Sequence, residues 1–314
     1  AQKNNISINL SKLLINRNIK KISHFLNSKL KENISVNEIL KLSNLKKTMT
    51  FFENINNDKK ISIFSDYDVD GACAAAIFKK YLTQFGIEVF VYIPNRLNEG
   101  YGLSTPACDK LLEFSSNILV LDCGSNNIDE QKYIHKQGAN LLIIDHHECE
   151  SYFNETIVIN PKTPEDKSNL DDLCATALSF LVLVFLNHED IFQKKDILQY
   201  LDLVSLATIC DLVPLNNINR SFVKQGLRII NSENKNKGIE FTWSEWLYIK
   251  PTYTSTTRDL LHVFHKGNND FNETSEGLYN FQSGMNWPNN APGLYIDWKK
   301  NQFVIVMNTY ENIL

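Results

Sequence analysis

Long apolar runs are missing from this chain. Nowhere in its 314 residues is there the stretch of about 18 apolar residues that a membrane-spanning helix needs. The first residues, AQKNNISINLSKLL, lack the apolar core of a signal peptide. No Cys-x-x-Cys pair occurs. The six cysteines (Cys73, Cys108, Cys123, Cys149, Cys174 and Cys210) are scattered, which argues against a structural zinc site and a disulfide framework. A reducing, cytoplasmic setting without a membrane partner is the expectation. A Walker A string is absent, and Gly100-Tyr101-Gly102 does not complete a dinucleotide-binding fingerprint. There is no excess of positive charge: 32 Lys and Arg face 36 Asp and Glu, a net charge of −4. A nucleic-acid partner would therefore need a local basic groove.

What remains is ordinary globular composition, 43% apolar and 22% charged, at a length that suggests two domains. Residues 8–45 read as a helical N-terminal leader, with Leu10, Leu13, Leu14, Ile19, Ile22 and Phe25 spaced for one buried face. From 60 to 160 the pattern alternates. Strands are expected at 60–65, 88–94, 117–122, 140–145 and 156–159, and helices near 71–85, 104–115 and 128–137. This predicts an α/β fold, a parallel β-sheet flanked by helices with right-handed crossovers. Longer helices are expected at about 172–187 and 194–210. The polar stretch SENKNKG after residue 231 reads as a linker. The division expected is a leader at 1–45, a catalytic domain at 46–231 and a smaller, divergent α+β region at 232–314, whose best strand is Phe303 to Met307.

Three expected strands run directly into polar residues. Ile61-Ser62-Ile63-Phe64-Ser65 leads to Asp66-Tyr67-Asp68-Val69-Asp70-Gly71, Ile118-Leu119-Val120-Leu121 to Asp122, and Leu141-Leu142-Ile143-Ile144 to Asp145-His146-His147. Sites in such sheets form outside the carboxyl ends of the strands. Carboxylates crowded there raise one another's pKa, and a divalent cation reverses that by favouring the ionised form. Carboxylates with one or two imidazoles and no thiolate suit Mn²⁺ or Mg²⁺. Asp211, expected at a helix-to-loop junction, completes a set large enough for two ions, which could clamp an in-line displacement at phosphorus. A lone DxD or His-His pair is common on solvated turns; several at the ends of separate strands are not.

SDYDVDG, LDCG, IIDHH and LATICDLVPL resemble, in order and spacing, the motifs of the DHH-family phosphoesterases. Within that family the chain is similar to the RecJ-like branch of single-strand-specific 5′→3′ DNA exonucleases. The first motif has that branch's form, IPNRLNEGYGLS at 93–104 resembles its second motif, and LLINRNIKKISHFLN at 13–27 and NRSFVKQGLRIIN at 219–231 extend the likeness. The resemblance implies Asp68, Asp70, Asp122, His146 and Asp211 as metal ligands, for Mn²⁺ or Mg²⁺ and two ions. Asp66 and His147 belong to the same cluster, with His147 facing phosphate or the transition state, and Asp145 orients a ligand histidine. Arg96 either grips a phosphate oxygen or pairs with Glu99 or a nearby aspartate. Gly100 and Gly102 allow a tight turn, and Ser104 caps the next helix.

Two departures stand out. LCATALSF at 173–180 has Ala175 and Ala177 where the family has small glycine-rich packing, and the family's Gly-Gly-His segment is not found in the tail, whose histidines are His262 and His265. Trp243, Trp246, Trp287 and Trp298, with Tyr248, Tyr253, Tyr279 and Tyr295, either build a small core or stack bases. His24, His135 and His188 read as surface groups, and Cys123 and Cys210 as packing residues. The function implied is metal-dependent phosphodiester hydrolysis, a 5′→3′ exonuclease on single-stranded DNA serving repair and recombination. The alternatives are a phosphodiesterase for short oligonucleotides or cyclic dinucleotides, and a catalytically weak nucleic-acid-binding or scaffold relative.

Overall fold

The computed structural model describes residues 6–20, 22–33, 35–231, 260–267, 290–297 and 302–306. Contacts divide the chain into two compact units, Ala1–Lys235 and Asn236–Leu314.

The first unit opens with short helices α1 (Ile8–Asn16), α2 (Ile22–Leu26), α3 (Leu30–Asn33) and α4 (Val36–Ile39). Ser35 and Glu38 close a capping box on α4: Ser35 Oγ accepts from the Glu38 N–H and Glu38 Oε2 from the Ser35 N–H, satisfying two otherwise orphan donors. Helix α5 (Thr48–Asp58) follows. The alternation expected from the sequence comes next: β1 (Lys60–Ser65), α6 (Val69–Thr83), β2 (Glu88–Tyr92), α7 (Arg96–Glu99), α8 (Thr105–Phe114), β3 (Asn117–Leu121), α9 (Ile128–Lys136), β4 (Asn140–Ile144) and β5 (Ile157–Ile159). Helices α10 (Ala175–His188), α11 (Leu201–Cys210) and α12 (Asn217–Ile230) complete the unit.

All five strands pair in parallel, in the order β2-β1-β3-β4-β5. Because side chains alternate across a strand, the sheet has two apolar faces. Ile61, Ile63, Leu119, Leu121, Leu142 and Ile144 pack with α5, α6, α10 and α11 residues such as Phe52, Phe78, Leu178 and Val204. Phe64, Ile118, Val120, Leu141 and Ile143 meet Cys108 and Leu111 of α8 and Ile134 of α9 on the other face. Burying each large apolar side chain contributes about 1.5–3 kcal/mol, so two such faces can carry costly polar groups at the strand ends. The chain leaves β1 toward β2 and returns to place β3 on β1's other side. That reversal opens a crevice at the carboxyl ends of β1 and β3.

Several boundaries differ from the expectation. The helix after β1 begins at Val69, not Gly71, because Asp68 is its N-cap and accepts from the Gly71 N–H at 3.0 Å. The helix expected over 194–210 is α-helical only from Leu201, after a 3-10 turn at Leu198–Tyr200. Asp196 Oδ1 accepts from the Leu198 N–H and starts the turn there. Ser104 stands at the N-cap of α8 with extended backbone, but its hydroxyl makes no cap bond. Among the described residues no helix is long and apolar enough to cross a membrane.

In the second unit the described residues are three antiparallel strands, β6 (Leu260–Gly267), β7 (Asn290–Asp297) and β8 (Gln302–Val306), in that order. His262 and His265 are on β6, and Tyr295 is on β7. Trp243, Trp246, Trp287, Trp298, Tyr248, Tyr253, Tyr279 and Met307 lie outside the described residues.

Candidate metal centre

Each acidic residue is delivered by an element that ends at the crevice. Asp66 follows β1, and its N–H donates to Leu121 O at 3.2 Å, continuing the β1–β3 pairing one residue past the strand. Asp68 caps α6 and Asp70 lies in its first turn. Asp122 follows β3 and Asp145 follows β4, their N–H groups donating to Ile144 O and Ile159 O. Asp211 is the C-cap of α11. Asp66, Asp70, Asp122 and Asp145 are buried, Asp211 is half-buried and Asp68 exposed.

Three of these groups converge on one imidazole. His146 Nε2 lies 3.3 Å from Asp122 Oδ1, 3.7 Å from Asp211 Oδ2 and 3.8 Å from Asp70 Oδ2. Three overlapping sets each have candidate ligand atoms within 4.8 Å of one another: Asp122, His146 and His147; Asp70, His146 and Asp211; Asp66, Asp68 and Asp122. Every acidic residue singled out from the motifs except Asp145 is in one of them.

The electrostatics are those of a site built for positive charge. Burial, then the neighbouring Asp70 and Asp68, push the Asp122 carboxyl up to about 11. Burial also raises Asp66 and Asp211. Asp66 Oδ1 and Asp122 Oδ1 are buried without a hydrogen-bond partner among the described residues, His146 Nε2 notwithstanding at 3.3 Å from the latter. Leaving such atoms unpaired costs several kcal/mol per charge, so the carboxylates either hold protons or share a cation. An oxygen-rich donor set with one or two imidazoles and no thiolate fits Mn²⁺ or Mg²⁺. Asp122 itself has φ of +61°, a left-handed backbone that Asp tolerates better than most residues.

Asp70 is held by donors the sequence does not advertise. Its carboxylate accepts from the N–H groups of Ala175 at 2.6 Å and Thr176 at 2.8 Å, in the first turn of α10, and its carbonyl accepts from Thr176 Oγ1 at 2.7 Å. The positive end of the helix thus faces the carboxylate. Ala175, one of the residues standing where glycines were expected, is itself one of the donors.

Asp145 holds the histidine pair from behind. Its Oδ1 meets His147 Nδ1 at 2.7 Å and the N–H groups of His146 and His147, while Oδ2 accepts from the Ser125 N–H. Of the two candidate histidines it therefore orients the ring of His147, and it holds His146 only through the main chain. Burial pushes the Asp145 carboxyl up, but the His147 and Ser125 bonds outweigh it and the net shift is downward; His147 is correspondingly raised by its bond to Asp145. Asn160 supports this corner, donating to His147 O and Ser125 Oγ.

Arg96, exposed at the start of α7, does not pair with Glu99. Glu99 accepts from Tyr92 and the Asn95 N–H and lies 3.6 Å from Lys110 Nζ. The Arg96 guanidinium instead sits 5.2 Å over the Tyr67 ring, and Tyr101 stands between Tyr67 and His147. Among the remaining residues, His135 is half-buried against Thr156 and His188 pairs with Glu189. Cys123 is buried, whereas Cys210 is exposed at the end of α11, not a packing residue.

With this geometry in view, residues 60–208 match the model of the DHH family, N-terminal domain. The single-stranded-DNA-specific exonuclease RecJ of Thermus thermophilus is 33% identical over 191 residues, covering 60% of this chain and 28% of that protein. The RecJ of Bacillus subtilis is 31% identical over 183 residues, covering 58% of this chain and 22% of that protein. The chain thus spans about a quarter of the length of these relatives. A crystal structure of an exonuclease RecJ bound to manganese is similar with a TM-score of 0.54 at 31% identity, covering 59% of this chain and 48% of that one. The RecJ of Thermus thermophilus in complex with Mn²⁺ gives 0.51 at 28% identity, covering 59% and 27%.

Proposed function

From the premise that residues 60–208 are an N-terminal domain of the DHH family, we propose that this chain is a metal-dependent phosphodiesterase that removes nucleotides from the 5′ end of single-stranded DNA, serving repair and recombination. The observation that carries the reading is the convergence of Asp70, Asp122 and Asp211 on His146 Nε2, all within 3.8 Å. Strand type is supported by relatives named as single-stranded-DNA-specific exonucleases; the direction rests on the motif resemblance alone.

Asp68, Asp70, Asp122, His146 and Asp211 would hold Mn²⁺ or Mg²⁺, two ions sharing the set. When bound, the ions supply a water of lowered pKa and counter-charge for the nonbridging phosphate oxygens. Asp66 Oδ1, buried and unpartnered, is the atom to receive a proton from the attacking water, and burial holds its carboxyl above the usual range, as a base requires. His147, whose pKa is raised by its hydrogen bond to Asp145, would face a nonbridging oxygen. Arg96, exposed beside Tyr67, offers a planar fork to a phosphate oxygen.

The test is digestion of single strands labelled at the 5′ or the 3′ end, with Mn²⁺, Mg²⁺ or EDTA, beside a duplex control and a length series down to dinucleotides. Early release of the 5′ label as mononucleotide, only with metal and only from single strands, is expected. Preference for dinucleotides, or attack from the 3′ end, would reject the assignment.

A further inference from the structure

Gly100-Tyr101-Gly102 is the motif that the chemistry above leaves unused. Gly100 and Gly102 both have positive φ, +79° and +83°, a backbone that L side chains rarely adopt. A Cβ on Gly100 would meet nothing within 4 Å, so glycine is there for the turn and not for space. The turn is tied down behind by Asn127, whose Nδ2 donates to Leu103 O at 3.1 Å. Its product is a projecting aromatic ring: Tyr101 is 57% exposed, although it sits beside the buried acidic cluster.

Tyr101 is the middle of a row. On one side its ring centroid is 6.1 Å from that of His147, at an interplanar angle of 74°, with the hydroxyl 3.4 Å from His147 Nε2. On the other side Tyr67 is 6.5 Å away at 80°, and the Arg96 guanidinium lies over Tyr67. Both ring neighbours meet Tyr101 nearly at right angles, so neither lies parallel on its face. Edge-to-face contacts of this kind brace a ring, and the exposure of Tyr101 leaves part of it open to a third partner. A row of aromatic and cationic groups running outward from a phosphate-chemistry centre has the composition of a single-strand platform.

We infer that Tyr101 stacks on the base of the nucleotide whose phosphate lies at the acidic cluster, and so sets the preference for unpaired bases. The inference rests on the proposed single-strand nuclease reading and deepens it. A base inside a duplex already has both faces stacked and its edge paired, so it can reach Tyr101 only by unstacking. A splayed base in a single strand has no such cost. Every base has a π face, so the contact selects strand type without selecting sequence.

The test uses the full chain with Tyr101→Ala and Tyr101→Phe, and single strands that are intact or carry one abasic residue placed in turn at the first few 5′ positions. Two quantities are read: Kd by fluorescence anisotropy in the cleavage-blocked Asp122→Asn background, and KM and kcat in the otherwise unaltered chain. Tyr101→Ala should raise Kd and KM by about fivefold to a hundredfold, the range of one base–aromatic stack, with kcat changed less. Tyr101→Phe, which keeps the ring, should stay within about twofold. At one abasic position the unaltered protein should lose affinity by a similar factor and Tyr101→Ala should lose none. The inference is overturned if Tyr101→Phe is as damaging as Tyr101→Ala, if Tyr101→Ala weakens intact and abasic strands equally, or if the unaltered protein is indifferent to abasic residues everywhere. That last arm needs no Tyr101 variant, so it stands even if Tyr101→Ala fails to fold. If single strands are neither bound nor cut, the nuclease reading fails and takes this inference with it. Binding and cutting with a normal Tyr101→Ala sink this inference alone.

Discussion

The Ala175 N–H donates to Asp70 Oδ2 at 2.6 Å, across 105 positions of sequence. Asp70 is therefore anchored by the first turn of α10 as well as by its own helix. Ala175 is the first residue of α10, with Cys174 in extended backbone before it. Proline is tolerated at that place in a helix and after such a residue. Ala175→Pro should therefore leave α10 intact, remove the donor and put a ring carbon against the carboxylate. Loss of a group that orients a metal ligand typically costs 10–100-fold in affinity. Isothermal titration with Mn²⁺ should show at least a tenfold rise in Kd with unchanged helical circular dichroism; an unchanged Kd would mean that α10 does not hold Asp70 for metal.

Asp122 and its substitutions should separate catalysis from stability. Asparagine keeps the shape, tolerates the φ of +61° and replaces a carboxyl whose ionised form is opposed by burial, Asp70 and Asp68. Alanine in a left-handed backbone costs about 1 kcal/mol. Both variants should lose cleavage. In metal-free protein, Tm should run Asp122→Asn at or above the unaltered chain, and Asp122→Ala below Asp122→Asn. Retained cleavage in either variant would show that another centre does the chemistry.

The Asp122 shift also has a pH consequence. Its carboxyl is raised from 3.8 to about 11 in the folded protein, so between those values the folded state holds a proton that the unfolded chain has released. The stability this gives is complete below the ordinary carboxylate range and is lost as pH rises toward the folded value; the raised His147 has the same sign. A cation needs the ionised group and expels the proton on binding. Calorimetric scans between about pH 6 and pH 9 should show metal-free Tm falling while the Tm increment from Mn²⁺ grows. A shrinking increment would contradict the assignment of Asp122 as a ligand.

Gly226 marks where α12 touches α11. A Cβ there would fall 2.1 Å from Leu201 O and 2.3 Å from Ser205 Oγ, closer than any real contact and against backbone that cannot step aside. Gly226→Ala should cost at least about 1–3 kcal/mol, the usual range for overpacking, in urea unfolding. Because α11 ends at Asp211, Mn²⁺ affinity should fall as well.

The sheet and the places where its strands end were legible because fully buried parallel strands are apolar throughout, so Asp66, Asp122 and Asp145 stand out as abrupt breaks. Helix α5 went unread, although Phe51, Phe52 and Ile55 are buried on one side of it, and α12 was seen only as a motif. The supports of the site were not legible for a different reason. Ala175 and Thr176 act on Asp70 through main-chain N–H groups, which every residue except proline carries, so no residue type signals them. Asn160, Ser125 and Tyr101 contribute by contacts made only when distant segments meet. Arg96 and Glu99 are close in sequence and opposite in charge, yet Tyr92 and Lys110 reach Glu99 instead. Spacing alone could not decide that competition.

The most direct measurement is a Mn²⁺ titration followed by electron paramagnetic resonance, in which free Mn²⁺ gives the signal and bound Mn²⁺ is counted by difference. Two ions should be taken up per chain, with uptake sharply reduced in Asp122→Asn and in Asp211→Asn. Failure to take up Mn²⁺, or uptake undiminished from that of the unaltered chain in both variants, would contradict a cation site among these carboxylates.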